Sequence, residues 1–150
     1  MQQQVDTAQQ LNQATQFGLS VATLEHLEDE FESPRMWKTR REAAAALLRH
    51  QETRAVDDVL DFFETVALLV HRDALDPEMV WNTFYHWIDG YGRTSDPVTA
   101  QERQKHPVEW KEFDALREQL ERIEIAKLGA RQATSPDELH EFLVDQSTLK

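Results

Sequence analysis

An all-α, single-domain bundle of five to seven helices around a central buried helix at about 55–72 is what this 150-residue sequence predicts. Three observations carry that reading. Large apolar residues recur at steps of three and four, the spacing of one helical face, and no useful stretch alternates with a period of two. Only four glycines and five prolines are present, too few for the tight turns of an all-β fold. The length suits one domain, and a chain of this size hides roughly 70% of the surface its unfolded form exposes.

The elements follow in order. Residues 1–16 are rich in Gln, with Val5 and Leu11 the only large aliphatics after Met1, and read as a flexible tail that becomes helical towards Phe17. The domain proper spans 17–145, and 146–150 is a second short tail. A first helix at about 19–32 has the stripe Phe17, Val21, Leu24, Leu27 and Phe31. Ser33-Pro34 ends it, because proline lacks a donor and restricts its predecessor. A second helix at about 35–53 contains four consecutive alanines, strong helix formers that let a neighbour approach closely. The third, about 55–72, is apolar over most of its circumference and is therefore the centre of the fold. Asp57 and Asp58 suit its positive end.

Asp76-Pro77-Glu78 starts a fourth helix. Asp76 caps the first amides, and proline stands where a missing N–H costs nothing. This aromatic segment is expected to stop at Gly90, with Ser95-Asp96-Pro97 starting a separate short helix over 97–104. A long helix at about 107–128 carries a seam of Phe113, Leu116, Leu120 and Ile123 flanked by charges, and Gly129 is placed to close it. Ser135 with Glu138 forms a capping box for a last helix, 136–145.

The chain carries −12 formal charges, from 16 basic and 28 acidic side chains. Such a surface repels phosphate backbones and anionic headgroups, so no direct nucleic-acid binding and no membrane partner are expected. The densest acidic run is Glu25, Glu28, Asp29, Glu30 and Glu32. No stretch approaches the ~18 apolar residues of a membrane span. The first twenty residues hold no Lys or Arg and no compact apolar run, unlike a secretory leader, so the expected location is cytoplasmic.

Catalytic chemistry finds little support. With no cysteine there is no thiol nucleophile and no thiolate metal site. The serines cap helices or lie in loops, and neither a phosphate-cradling glycine loop nor HExxH occurs. No cofactor and no metal are expected. The residue of most interest is Glu64, set among Phe62, Phe63, Val66 and Ala67. A carboxylate there needs a partner, and Arg41 is the first choice, Arg40 the second. With Trp81 and Tyr85 as walls, Arg41 and Glu64 would form a ligand pocket between helices two, three and four.

The Arg41-Glu42-Ala43-Ala44 run, the V-L-D-F-F-E helix through Glu64, the link to Leu75-Asp76, the V-W-x-x-F segment from Val80 to Phe84, and Tyr91 together carry a resemblance. Over about 35–125 the chain resembles an uncharacterised family of small all-helical bacterial proteins, a domain of unknown function. The resemblance implies an all-helical fold and supplies no activity. Members often carry an N-terminal membrane helix; this chain has Gln-rich sequence and an acidic helix there, so that role is not carried over.

Three functions remain in play. The first is a non-enzymatic interaction or regulatory module, engaging a protein partner or a second copy through helix 17–32 or the seam of helix 107–128. The second is a small-molecule sensor or enzyme using the Arg41, Glu64, Trp81 and Tyr85 pocket. The third is an acidic decoy occupying a nucleic-acid-binding protein through the run from Glu25 to Glu32.

Overall fold

The helix from Arg54 to His71 buries Val56, Val59, Leu60, Phe62, Phe63, Val66, Ala67 and Val70, and three other helices lie against it. In the computed structural model, which describes residues 2–150, the element order is α1 (Gln2–Phe31), α2 (Pro34–Leu48), α3 (Arg54–His71), α4 (Pro77–Lys105), α5 (Lys111–Leu128) and α6 (Pro136–Ser147). Among the described residues there is no strand. Helix α3 touches α2, α4 and α5, and α6 lies across α2 and α4. This is the expected all-α bundle with a hidden central rod.

The core has an aromatic centre. The Phe31 ring, at the end of α1, lies 5.3 Å from Phe62, 5.4 Å from Phe84 and 5.4 Å from Trp87. Phe63 stacks on Phe113 at 5.7 Å. Tilted and edge-on rings at these distances contribute beyond their buried area.

Several local readings match the coordinates. Asp76 caps α4 by accepting from the amide of Glu78, with Pro77 in the first turn. Ser135 and Glu138 form the reciprocal box at the start of α6. Gly129, at φ 79°, closes α5 in the left-handed conformation that glycine adopts without strain. Ser33 ends α1 and also starts α2, accepting from the amide of Met36 at 3.2 Å.

Other boundaries differ. The fourth helix does not stop at Gly90, and no separate helix begins at Pro97; α4 runs unbroken through both. The two glycines serve close approach instead. A Cβ on Gly90 would stand 2.5 Å from the Phe142 ring of α6, and one on Gly92 would stand 2.6 Å from Arg117 Nε of α5. Asp96, read as a cap, instead forms a two-pronged ion pair with Arg117 at 2.8 and 2.9 Å.

The ends differ as well. Helix α1 extends back to Gln2, so the segment expected as a tail over 1–16 is helical, with Met1 outside the described residues. The expected tail at 146–150 is tied down. Gln146 is buried, and the Leu149 carbonyl accepts from Arg41 Nη1 at 2.8 Å.

Candidate functional site

Glu64 is the first correction. It does not meet a guanidinium. Its carboxylate accepts from the backbone amides of Glu112, at 2.8 Å, and Phe113, at 3.2 Å, in the first turn of α5. The reason lies in α5 itself. Its cap position is Trp110, a left-handed residue at φ 55° whose side chain makes no cap bond. The first turn therefore takes its acceptor from α3. Burial pushes the Glu64 carboxyl above its usual range, as do the like charges of Glu112 and Asp114, against the pull of the two amides.

Arg40 takes the position foreseen for a buried cation, with other partners. It is 2% exposed, donates to the Phe31 carbonyl at 3.0 Å and to Gln146 Oε1 at 3.1 Å, and sits 3.8 Å over the Phe31 ring. The Tyr91 hydroxyl donates to Gln146 Oε1 at 2.9 Å. Glu32, largely exposed, lies 3.4 Å from Arg40 Nη1. This buried network joins α1, α2, α4 and α6, and burial drives the Tyr91 phenol above its usual pKa.

The pocket expected between α2, α3 and α4 does not form as drawn. Trp81 and Tyr85 stack at 5.9 Å, one turn apart on α4. Arg41 instead opens on a groove with Trp37 and Lys150 beside the first half of α2. Glu64 is occupied at α5. The aromatic pair is thus kept and its two charged companions are lost.

What Tyr85 does line is a pair of clefts beside α4. One, of about 310 Å³, lies against α5 and includes Asp89, Arg117 and Glu121. The other, of about 440 Å³, runs under α6 and includes His86, Asp89, Glu124 and Phe142. Tyr85 and Asp89 line both. The Tyr85 hydroxyl donates to Glu124, which is 2% exposed. Burial and that bond drive the phenol above its usual range. Asp89 accepts from Arg93 Nε at 2.7 Å. Among the described residues, no group of three or more His, Asp or Glu side chains could hold a metal ion.

A second acidic cluster lies at the start of α3. Asp57 Oδ1 is enclosed without a hydrogen-bond partner. Its carboxyl is pushed up to about 7, first by burial, then by the neighbouring Glu52 carboxylate, then by Asp61 and Glu102.

The two interaction surfaces fare differently. Phe113, Leu116 and Leu120 are core residues, 0%, 2% and 0% exposed, and Ile123 is partly buried beside them. The seam of α5 is spent inside the bundle against α3 and α4, so it offers nothing to a partner. In the acidic run, Glu25, Glu28 and Asp29 are exposed. Glu30 pairs with Arg35 at 3.7 Å, and Glu32 accepts from Trp37 Nε1 at 2.7 Å.

The feature that sequence reasoning missed is the first half of α1. Every side chain from Gln4 to Leu19 is exposed, including Val5, Leu11, Phe17 and Leu19 at 55–70%. Burial begins at Ser20, whose hydroxyl accepts from the Asp76 amide at 2.9 Å, and continues with Leu24, Leu27 and Phe31. A helix-forming run of Gln, Ala and Leu was the available signal. Glu124 also had one, because Leu116, Leu120 and Glu124 step by four along the buried stripe of α5.

Six helices, with α3 enclosed by its neighbours, define an all-α bundle with solvent-facing clefts and a long first helix. A family model described as a domain of unknown function, DUF4760, matches residues 1–120. The chain belongs to that family. The match extends beyond the resemblance at 35–125 to cover all of α1, and it ends before α6. No curated protein and no solved structure matches the chain. Among the described residues, no helix is long and apolar enough to cross a membrane.

Proposed function

We propose that this protein is a non-enzymatic interaction module of the bacterial cytoplasm, and that the first half of α1 is the element that engages its partner. One observation carries the reading. Over residues 4–19 every side chain of the helix is exposed, for about 24 Å at 1.5 Å per residue, with only Gln13, Gln16 and Phe17 bordering a groove at the α3–α4 link. A helix of this length is marginal in water without tertiary contacts. Four large apolar side chains on it face solvent. An element of this kind is supported by what it binds.

The test is site-specific photo-crosslinking in the native cell. A photoreactive side chain at position 11 should yield covalent protein adducts. The same group at position 108, equally exposed but on the α4–α5 link, is the control. Adducts from position 11 and few from 108 are expected. No adduct from position 11 would remove the reading.

The clefts that share Tyr85 and Asp89 favour a second reading, a small ligand held between α4, α5 and α6. A thermal-shift screen checks it, because a ligand of the folded state must raise the melting temperature.

A further inference from the structure

We infer that the partner of α1 is a second copy of this chain, bound as an antiparallel helix pair; the inference rests on the reading of α1 as the interaction element. Three of the four large apolar residues of the exposed half share one stripe, whereas Phe17 lies on the opposite side, beside Leu75 and Pro77. Val5, Ala8, Leu11, Thr15, Leu19 and Ala22 follow at steps of three, three, four, four and three, and all six are exposed. The Thr15 hydroxyl bonds back to the Leu11 carbonyl at 2.9 Å, so the residue's polar group is satisfied within its own helix. At about 100° per residue, this stripe points roughly 140° away from the face of Leu24, Leu27 and Phe31 that enters the core. The stripe therefore faces away from the chain's own bundle. It is open for another molecule to cover.

Charge selects which molecule. Asp6 is the only charged residue in 1–24, leaving −11 on residues 25–150. Two copies meeting through most other faces would bring like charges together. Through the first half of α1 they meet across glutamines and aliphatic groups, at almost no Coulomb cost. A nucleic acid or anionic lipid partner would find no cation there, since neither Lys nor Arg occurs before Arg35.

The same charges fix the direction. A parallel pair would place two runs from Glu25 to Glu32 side by side, about 10 Å apart. An antiparallel pair centred near residue 13 separates them by about 45 Å, several Debye lengths at physiological salt. The helix dipoles also favour that arrangement. In that register Val5 faces Ala22, Ala8 faces Leu19, and Leu11 falls near Thr15, so large side chains meet small ones. The contact strip is about 26 Å long and one helix wide, below the size of a standard stable interface. The dimer is therefore weak, with a dissociation constant in the micromolar range or above.

Sedimentation equilibrium of the purified chain tests this, from about 1 to 200 µM at low and high salt. A monomer–dimer equilibrium is expected, tightening as salt screens the two acidic bundles. L11E and L19E should each weaken it at least about tenfold while leaving the melting temperature of the bundle unchanged, because both residues are solvent-facing. Energy transfer between a donor at position 5 of one copy and an acceptor at position 22 of another should exceed that between two labels at position 5. A chain that stays monomeric throughout, a dimer indifferent to L11E and L19E, or a monomer that instead binds neutral phosphatidylcholine vesicles overturns the proposal. A monomer that still yields cellular crosslinks to another protein from position 11 would overturn only self-association and leave α1 as the interaction element.

Discussion

Replacing Glu64 separates two accounts of a half-buried carboxylate in the central helix. Its oxygens hold two amides at the start of α5, at 2.8 and 3.2 Å, where the chain offers no cap of its own. Removing a cap acceptor costs about 0.5–2 kcal/mol. Glu64→Ala removes both bonds and a little packing, so about 1.5 kcal/mol is expected. At this chain length that lowers Tm by roughly 5 °C. Glu64→Gln behaves differently. The amide keeps one acceptor oxygen, and it relieves the burial and like-charge costs that raise the carboxyl's pKa. These effects offset, and the change should stay within about 0.5 kcal/mol. A carboxylate neutralising a buried guanidinium gives the opposite order of importance, since losing its charge leaves the cation uncompensated and costs about 3–5 kcal/mol. The assay is urea denaturation of both variants at neutral pH, joined to hydrogen exchange at the Glu112 and Phe113 amides. Faster exchange there in the alanine variant is expected. A glutamine variant as damaged as the alanine variant, or an alanine variant with unchanged stability and exchange, would refute the tertiary cap.

Asp57 predicts a pH dependence. Its carboxyl moves from 3.8 to about 7 on folding, so the folded state holds the proton more tightly. Stability from this group is therefore greatest below about pH 4 and falls as the pH rises to about 7. Asp57→Asn should flatten that slope and raise Tm at pH 8, read by thermal melts across the range. Gln146→Leu should cost about 1–3 kcal/mol by denaturant titration, because Arg40 Nε and the Tyr91 hydroxyl lose their shared acceptor inside the core. Gly90→Ala should cost about 1–3 kcal/mol by the same assay, since the new methyl meets the Phe142 ring. Faster proteolysis near α6 than near α3 is its further signature.

Much of the architecture was legible in the chain because local chemistry and tertiary packing agree. The apolar circumference of α3, the Asp76-Pro77 start, the Ser135 box and the Gly129 stop each carry their own physical reason. Legibility failed where a residue answers to a distant neighbour. Gly90, Gly92 and Pro97 read locally as a helix end, yet α4 continues because Phe142 and Arg117 need the room that two glycines leave. Arg40 was the better choice for a buried cation on spacing alone, standing four residues after Met36 and three before Ala43 on the buried stripe of α2. Its partners, the Phe31 carbonyl and Gln146, lie 9 and 106 residues away, and no local pattern names them. The charged seam of α5 has the spacing of a docking face, and that spacing is the same whether the partner is another protein or the chain's own α3 and α4. The pocket residues dispersed for a related reason: Arg41 and Glu64 each found a backbone partner, the Leu149 carbonyl and the α5 amides, that composition cannot reveal.

Amide hydrogen exchange over residues 4–19 across a dilution series tests the role of α1 most directly. Slow exchange in concentrated protein that gives way to rapid exchange on dilution, while α3 amides stay protected throughout, is the result expected of a helix supported by what it binds. Protection in residues 4–19 that is strong and indifferent to concentration, or absent at every concentration and with every added cell fraction, would contradict it.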